Sequence, residues 1–321
     1  MDLPAHLRQA VDAALAGVPL ADLTAAAQAL SHRYRNEIRD GRLHIADGRL
    51  ALAYVATRMP ATYAAVRTAI VALAEQQPDF SPHSLLDIGA GPGTAMWAAA
   101  SHWRTLDAAT LVEASPAIRA LGQRLAANAP MPRIAWRGGD LRSDLPGDMH
   151  DLVTLAYVLD ELAAPERDAL VMRLWSLTGG VLLIVEPGTT AGWQRILAAR
   201  AQLIGEGARL LAPCPHAQAC PIAAPDWCHF AARVARSRMH RLAKEADVPW
   251  EDEKFIYLAA SREPAAGHPS RVLARPDNAS GRVRLKLCRP DGAADYRLVT
   301  RREGEVFKRA RRIGWGDAFD G

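Results

Sequence analysis

Four cysteines, Cys214, Cys220, Cys228 and Cys288, are the only thiols in the chain, and three of them fall within fifteen residues. Thiolates select zinc or iron–sulfur clusters. The C-x5-C-x7-C-x59-C spacing lacks the paired C-x2–4-C knuckles of common zinc sites. Wider loops, with Cys-Pro occurring twice, better suit a 4Fe-4S cubane whose edges separate its ligands. A zinc site, with His216 or His229 as substitute ligands, stays open, and so do four free buried thiols. A disulfide framework belongs to small secreted domains and is excluded by size.

A second group begins at Leu85-Leu-Asp-Ile-Gly-Ala-Gly-Pro-Gly-Thr94, a strand running into a glycine turn that opens a helix. Glycines let backbone approach a ligand, and a helix N-terminus favours an anionic or polar group. The spacing of Gly89, Gly91 and Gly93 is G-x-G-x-G, not the G-x-G-x-x-G of dinucleotide sites. Asp87 precedes the turn. Glu113 closes the next strand, where an acid can accept both hydroxyls of a ribose. Asp140 follows the third strand, where an acid can meet an adenine amino group. After the fourth strand, Ala156-Tyr-Val-Leu-Asp-Glu161 contains no proline, unlike the Asn/Asp-Pro-Pro-aromatic motif of base-methylating enzymes. Tyr157 and Asp160 are the catalytic candidates there; Asp160 and Glu161 read equally well as acids favoured by a helix dipole.

These residues need elements to hold them. Apolar residues at three- and four-residue steps predict helices over 4–17, 21–38, 48–58 and 61–76. From Ser84, short apolar strands alternate with helices, which predicts a doubly wound α/β sheet with its ligand at the strands' carboxyl ends. A helix is expected over 229–246, followed by four strands. Three regions result: an N-terminal helical region at 1–80, a nucleotide-binding core at 81–205, and a cysteine-rich, basic region at 206–321.

Half of the 321 residues are apolar and 23% are charged, so the chain can bury a sizeable core. No apolar run approaches the ~20 residues that cross a bilayer. Met1–Gly17 carries Asp2, Arg8 and Asp12, which fits neither a secretory nor a transit peptide. A cytoplasmic protein is the expectation, with no membrane or DNA partner. Residues 229–321 hold 20 Lys and Arg against 13 Asp and Glu, an excess of seven; the first 228 hold 19 against 22. A basic end on a near-neutral body suggests a polyanion partner. On the expected helix, His229, Arg233, Arg236, His240 and Lys244 form one stripe. With Lys308, Arg309, Arg311 and Arg312 in the tail, it marks a candidate RNA surface.

Over 84–204 the glycine loop with its acids resembles class I S-adenosylmethionine-dependent methyltransferases. The run Cys214-Pro-His, Cys220-Pro, Asp226-Trp-Cys-His-Phe230, the distant Cys288 and the ending Lys308-Arg, Trp315-Gly-Asp317 narrow the resemblance. So do Tyr34-Arg35 and Arg58-Met-Pro-Ala-Thr-Tyr63. Together they resemble the methyltransferase-like assembly factors of the mitochondrial ribosomal small subunit and their bacterial relatives. That resemblance implies S-adenosylmethionine at Asp87–Gly93, a 4Fe-4S cluster on the four cysteines, and ribosomal RNA binding in small-subunit biogenesis, with methylation of that RNA a separate question. The alternatives are a catalytically silent RNA-binding protein on a methyltransferase scaffold, and a small-molecule methyltransferase with a zinc-stabilised C-terminal domain.

Overall fold

A computed structural model describes residues 2–140 and 144–321. The N-terminal helices are α1 Ala5–Leu15, α2 Leu20–Arg35, α3 Gly48–Thr57 and α4 Met59–Gln76. Asp47 caps α3, its carboxylate accepting from the Arg49 and Leu50 amides at 2.9 Å. Helix α4 is apolar on most of its circumference, and Met59, Tyr63, Val66, Ile70 and Leu73 are all buried. The reason is its place: it packs against the sheet as well as against α3. The N-terminal helices therefore share one core with the sheet.

Five parallel strands, β1 Ser84–Ile88, β2 Ala108–Val112, β3 Arg133–Arg137, β4 His150–Ala156 and β5 Thr178–Pro187, lie in the order β3-β2-β1-β4-β5. The helices α5 Thr94–Ala100, α6 Pro116–Leu125, α7 Ala164–Ser176 and α8 Thr190–Gly205 connect or follow them. Strand order reverses between β1 and β4, and ligands bind at that switch point, beyond the carboxyl ends. Sequence alternation and structure agree on these elements.

The sheet does not stop at residue 205. Strand β8, Trp250–Ser261, runs antiparallel beside β5, and β6, Arg209–Ala212, pairs beyond it. This mixed sheet is a class I methyltransferase-like α/β fold. The expected boundary between core and C-terminal region falls inside it, because β6 and β8 bury their apolar faces in the same core.

The helix expected over 229–246 is not formed. Phe230–Ala235 is strand β7, paired residue for residue with Trp250–Phe255, and only Arg238–Ala243 is helical, as α9. Alanines made the segment look helical. Its true period is two, with Phe230, Ala232 and Val234 buried and Arg233 and Ala235 exposed. The basic residues therefore form no helical stripe: Arg236, His240 and Lys244 gather around Glu251, and Arg233 pairs with Asp252.

The remaining strands, β9 Ser270–Val272, β10 Asp277–Ala279, β11 Arg282–Cys288, β12 Ala294–Thr300 and β13 Ala318–Phe319, form a second, antiparallel sheet. Val283, Leu285, Leu287 and Val299 cover a small core with Ala310 and Phe319. Helix α10, Glu305–Ala310, carries part of the basic tail over it.

Candidate functional site

Strand β1 delivers Asp87 to the turn, where Gly89, Gly91 and Gly93 all have positive φ. A Cβ on Gly89 would lie 2.4 Å from Val158 Cγ2, so both backbone conformation and space require glycine. Glu113, just past β2, accepts from the Gly91 amide at 2.8 Å and from the Ser115 amide at 2.7 Å. Burial raises its pKa and those amide bonds oppose the rise without cancelling it. Gly89, Gly91, Glu113, Tyr157 and Asp160 line one cavity of about 300 Å³, at the lower end of small-ligand pockets.

The other cofactor-binding expectations lie off its wall. Asp87 is buried beneath the turn, accepting from the Thr154 hydroxyl at 2.7 Å with its second oxygen unpartnered. Burial pushes its pKa up to about 7. A Cβ on Gly93 would press on Leu111 and Trp136, so that glycine serves strand–helix packing. Asp140 stands next to the lining residue Gly139, and its amide donates to Asp144 at 2.9 Å.

The cavity's roof is what sequence reading missed. Ser31, Tyr34 and Arg35 of α2, Tyr54 of α3, Arg58 between α3 and α4, and Glu37, Leu43, His44 and Ile45 between α2 and α3 contribute to its lining. Tyr34 stacks on His44 at 5.0 Å between centroids, and the Arg58 guanidinium lies 5.7 Å from the Tyr34 ring centroid. The Tyr34-Arg35 and Arg58–Tyr63 segments, which carry part of the family resemblance, thus contribute residues to the cavity. Their shared recurrence of Arg and Tyr was the available signal.

At the other wall, Tyr157 has φ +60°, a strained conformation for a non-glycine residue, and its hydroxyl donates to Glu253 at 3.0 Å. Asp160 is buried with Oδ1 unpartnered, and burial raises its pKa. Burial and the neighbouring Asp160 carboxylate push Glu161 up to about 8. The Glu186 carboxylate accepts from buried Arg195 at 2.7 Å and from the Leu159 amide at 3.0 Å.

Far along the sheet, the loop between β6 and β7 carries Cys214, Cys220 and Cys228, and β11 ends in Cys288. All four line a second cavity of about 30 Å³, with His216, Arg200 and Arg271. Cys288 Sγ is 3.5 Å from His216 Nε2. Burial raises the Cys214 and Cys228 thiols and pushes Cys288 up to about 12. Among the described residues, no three His, Cys, Asp or Glu side chains are grouped closely enough to hold a metal ion. The Trp227 and His229 rings stack at 5.0 Å, and Trp315 meets His229 edge-on at 4.9 Å, so the two distant Trp-containing motifs converge beside this cavity.

The expected RNA residues are scattered. Arg233 pairs with Asp252 at 2.8 Å and lies over Trp250. Arg236 and Lys244 both bind Glu251, at 2.9 and 2.8 Å, so one of these two positive charges is balanced inside the protein. Arg309, Arg311 and Arg312 are exposed on and after α10; Lys308 is also exposed and pairs with Glu305. A further basic face was missed. Arg282 and Arg284 project from β11 opposite to its buried Val283 and Leu285, beside the exposed Tyr296 and Leu298 of β12. The Arg284 guanidinium sits 4.0 Å from the Tyr296 ring centroid. Alternation of Arg with Val and Leu in 282–287 was the signal.

Comparison with known proteins places residues 49–320 within the family model described as mitochondrial small ribosomal subunit Rsm22. The human ribosome assembly protein METTL17, mitochondrial, is 31% identical over 294 residues, covering 84% of this chain and 62% of the relative. Two Schizosaccharomyces pombe proteins, Rsm22-cox11 tandem proteins 1 and 2, mitochondrial, are each 25% identical over 321 residues, covering 84% of this chain and 43% of theirs. The chain thus spans about two-fifths to three-fifths of these relatives' lengths. Among solved structures, magnesium protoporphyrin IX methyltransferase from Synechocystis PCC 6803 with bound SAM is 16% identical, with a TM-score of 0.42 over 77% of this chain and 99% of that one. The plantazolicin methyltransferase BpumL with SAH is 10% identical, with a TM-score of 0.42 over 76% and 98%. The fold assignment rests on strand order instead.

Proposed function

Since the chain belongs to the mitochondrial small ribosomal subunit Rsm22 family, we propose that it acts in assembly of the ribosomal small subunit, with S-adenosylmethionine in the larger cavity and a thiolate-held metal centre in the smaller. The observation that carries the first site is Glu113, fixed between the Gly91 and Ser115 amides at the open end of β1 and β2. A carboxylate so held keeps lone pairs for ribose hydroxyls, and Gly91 leaves room for the ligand beside it. When bound, the cofactor supplies an activated methyl group. The chain's own part is to orient an acceptor near Tyr157 and Asp160 and to exclude water beneath the roof.

The cysteine cavity meets the donor requirement of a 4Fe-4S cluster, with four thiols from two separated segments facing one space. The C-x5-C-x7-C spacing, without paired C-x2–4-C knuckles, favours the cluster over zinc. Its role here is structural: it ties the 213–229 loop to the end of β11. The relatives are mitochondrial by name, so we assign the protein to whichever compartment assembles its ribosomes rather than to the cytoplasm as such. RNA contact falls to the exposed Arg282, Arg284 and Tyr296 face and to the α10 tail, where guanidinium and aromatic groups suit phosphates and unstacked bases.

A second reading, a silent scaffold, is favoured by Tyr157, whose hydroxyl is committed to Glu253. Methyl transfer from labelled cofactor to small subunits purified from cells lacking this protein tests the choice. Incorporation dependent on Tyr157 or Asp160 supports an enzyme. Tight cofactor binding without incorporation supports the scaffold.

A further inference from the structure

Arg200 and Arg271 are 5% and 2% exposed, and both line the cavity that the four cysteines share. Arg200 donates to the carbonyls of His216 and Gln218, each at 2.7 Å, and its Nε has no partner. Arg271 donates to the carbonyls of Pro213 and Gly316, at 3.2 and 2.9 Å. Neither forms an ion pair with a carboxylate among the described residues. The contrast with Arg195, equally buried but held by Glu186 and Glu37, is direct. Burying one charge without a counter-charge costs several kcal/mol, and carbonyls answer only its hydrogen bonds. Two such charges beside four thiols call for an anion at the thiols.

We propose that Arg200 and Arg271 are the counter-charges of the cysteine-held centre and set both its retention and its reduction potential. The inference rests on the reading that the four cysteines hold such a centre. Four thiolates around a 4Fe-4S core of charge +2 carry a net charge of −2, which two guanidiniums balance. Arg200 also fixes the loop holding Cys214 and Cys220, while Arg271, in β9 next to Cys288 in register, bridges the second sheet to the same loop. Both are positioning residues that act through the centre's charge.

The test uses full-length protein purified anaerobically, with iron, zinc and acid-labile sulfide measured and the midpoint potential obtained by dye-mediated titration of the visible absorption. Arg200→Met and Arg271→Met remove charge; Arg200→Lys and Arg271→Lys keep it. Circular dichroism establishes that each variant is folded. Loss of one positive charge disfavours addition of an electron. Each Met variant is therefore expected to shift the reduction equilibrium at least tenfold against reduction, about 59 mV for one electron, or to lose metal, while the Lys variants stay near wild type. Met variants with wild-type metal content and potential overturn the inference. So does metal loss shared equally by folded Lys and Met variants, which would assign the role to hydrogen bonds. Wild-type protein free of iron and sulfide instead overturns the reading beneath it, and wild-type zinc without sulfide overturns its iron–sulfur form.

Discussion

Arg195 and Glu37 face each other at 3.2 Å, joining a helix that follows β5 to the loop that roofs the larger cavity, 158 residues earlier in the chain. The same guanidinium holds fully buried Glu186 at 2.7 Å. Roof and sheet are thus locked through one cation. Arg195→Met leaves Glu186 uncompensated and is expected to cost about 3–5 kcal/mol in urea unfolding. Glu37→Gln, at a residue one-third exposed, is expected to cost below about 1 kcal/mol while loosening the roof. Equal losses would place the energetic weight on the Glu37 contact instead.

Gly91 and Gly89 separate binding from folding. At Gly91 a new Cβ meets only Tyr54 Oη at 4.0 Å, so Gly91→Leu carries left-handed strain of about 1–2 kcal/mol but no clash, and it should abolish S-adenosylmethionine binding by calorimetry in a protein that still folds. At Gly89 the clash with Val158 adds to left-handed strain of about 1–2 kcal/mol, so Gly89→Ala should lower the melting temperature as well. Undiminished binding by Gly91→Leu would move the cofactor elsewhere.

Asp87 and Glu161 each make a contribution to stability that falls as pH rises. Asp87, pushed up to about 7 by burial, and Glu161, pushed up to about 8, keep protons in the folded state that the unfolded chain releases near pH 4. Their contribution is full below pH 4 and is lost as pH passes through 7 and 8. Asp87→Asn keeps an oxygen for the Thr154 hydroxyl and removes the ionisation. Its unfolding free energy should depend less on pH between 5 and 8 than that of the wild type. An identical slope would mean that Asp87 titrates normally.

Binding to small-subunit RNA should weaken with salt, by a log–log slope of about −0.9 for each duplex phosphate neutralised. Arg282→Gln with Arg284→Gln, or Arg309→Gln with Arg312→Gln, should each reduce that slope by about one to two units. Arg236→Gln with Lys244→Gln should reduce it less, because the Glu251 carboxylate they share already balances one of those two charges. Tyr296→Ala should lower affinity by about 1–3 kcal/mol without changing the slope, as expected for loss of a stacked base. A slope that responds only to Arg236 and Lys244 would restore the basic stripe as the RNA surface.

What the sequence by itself determined was local and periodic. Apolar runs ending in Asp87 and Glu113, and glycines spaced for a turn, located the parallel strands and the loop, since those signals lie within a few residues of each other. Tertiary structure decided everything set by partners distant in the chain. Phe230–Ala235 has a composition that suits a helix, and pairing with Trp250–Phe255 made it a strand. Arg236 and Lys244 gained Glu251 as a shared counter-ion only after that hairpin formed. The Arg195–Glu37 contact that ties the roof to the sheet, and the seating of Arg271 on the Pro213 carbonyl, span 158 and 58 residues. Charge and burial at such contacts are fixed by packing, and no pattern within a single segment encodes them.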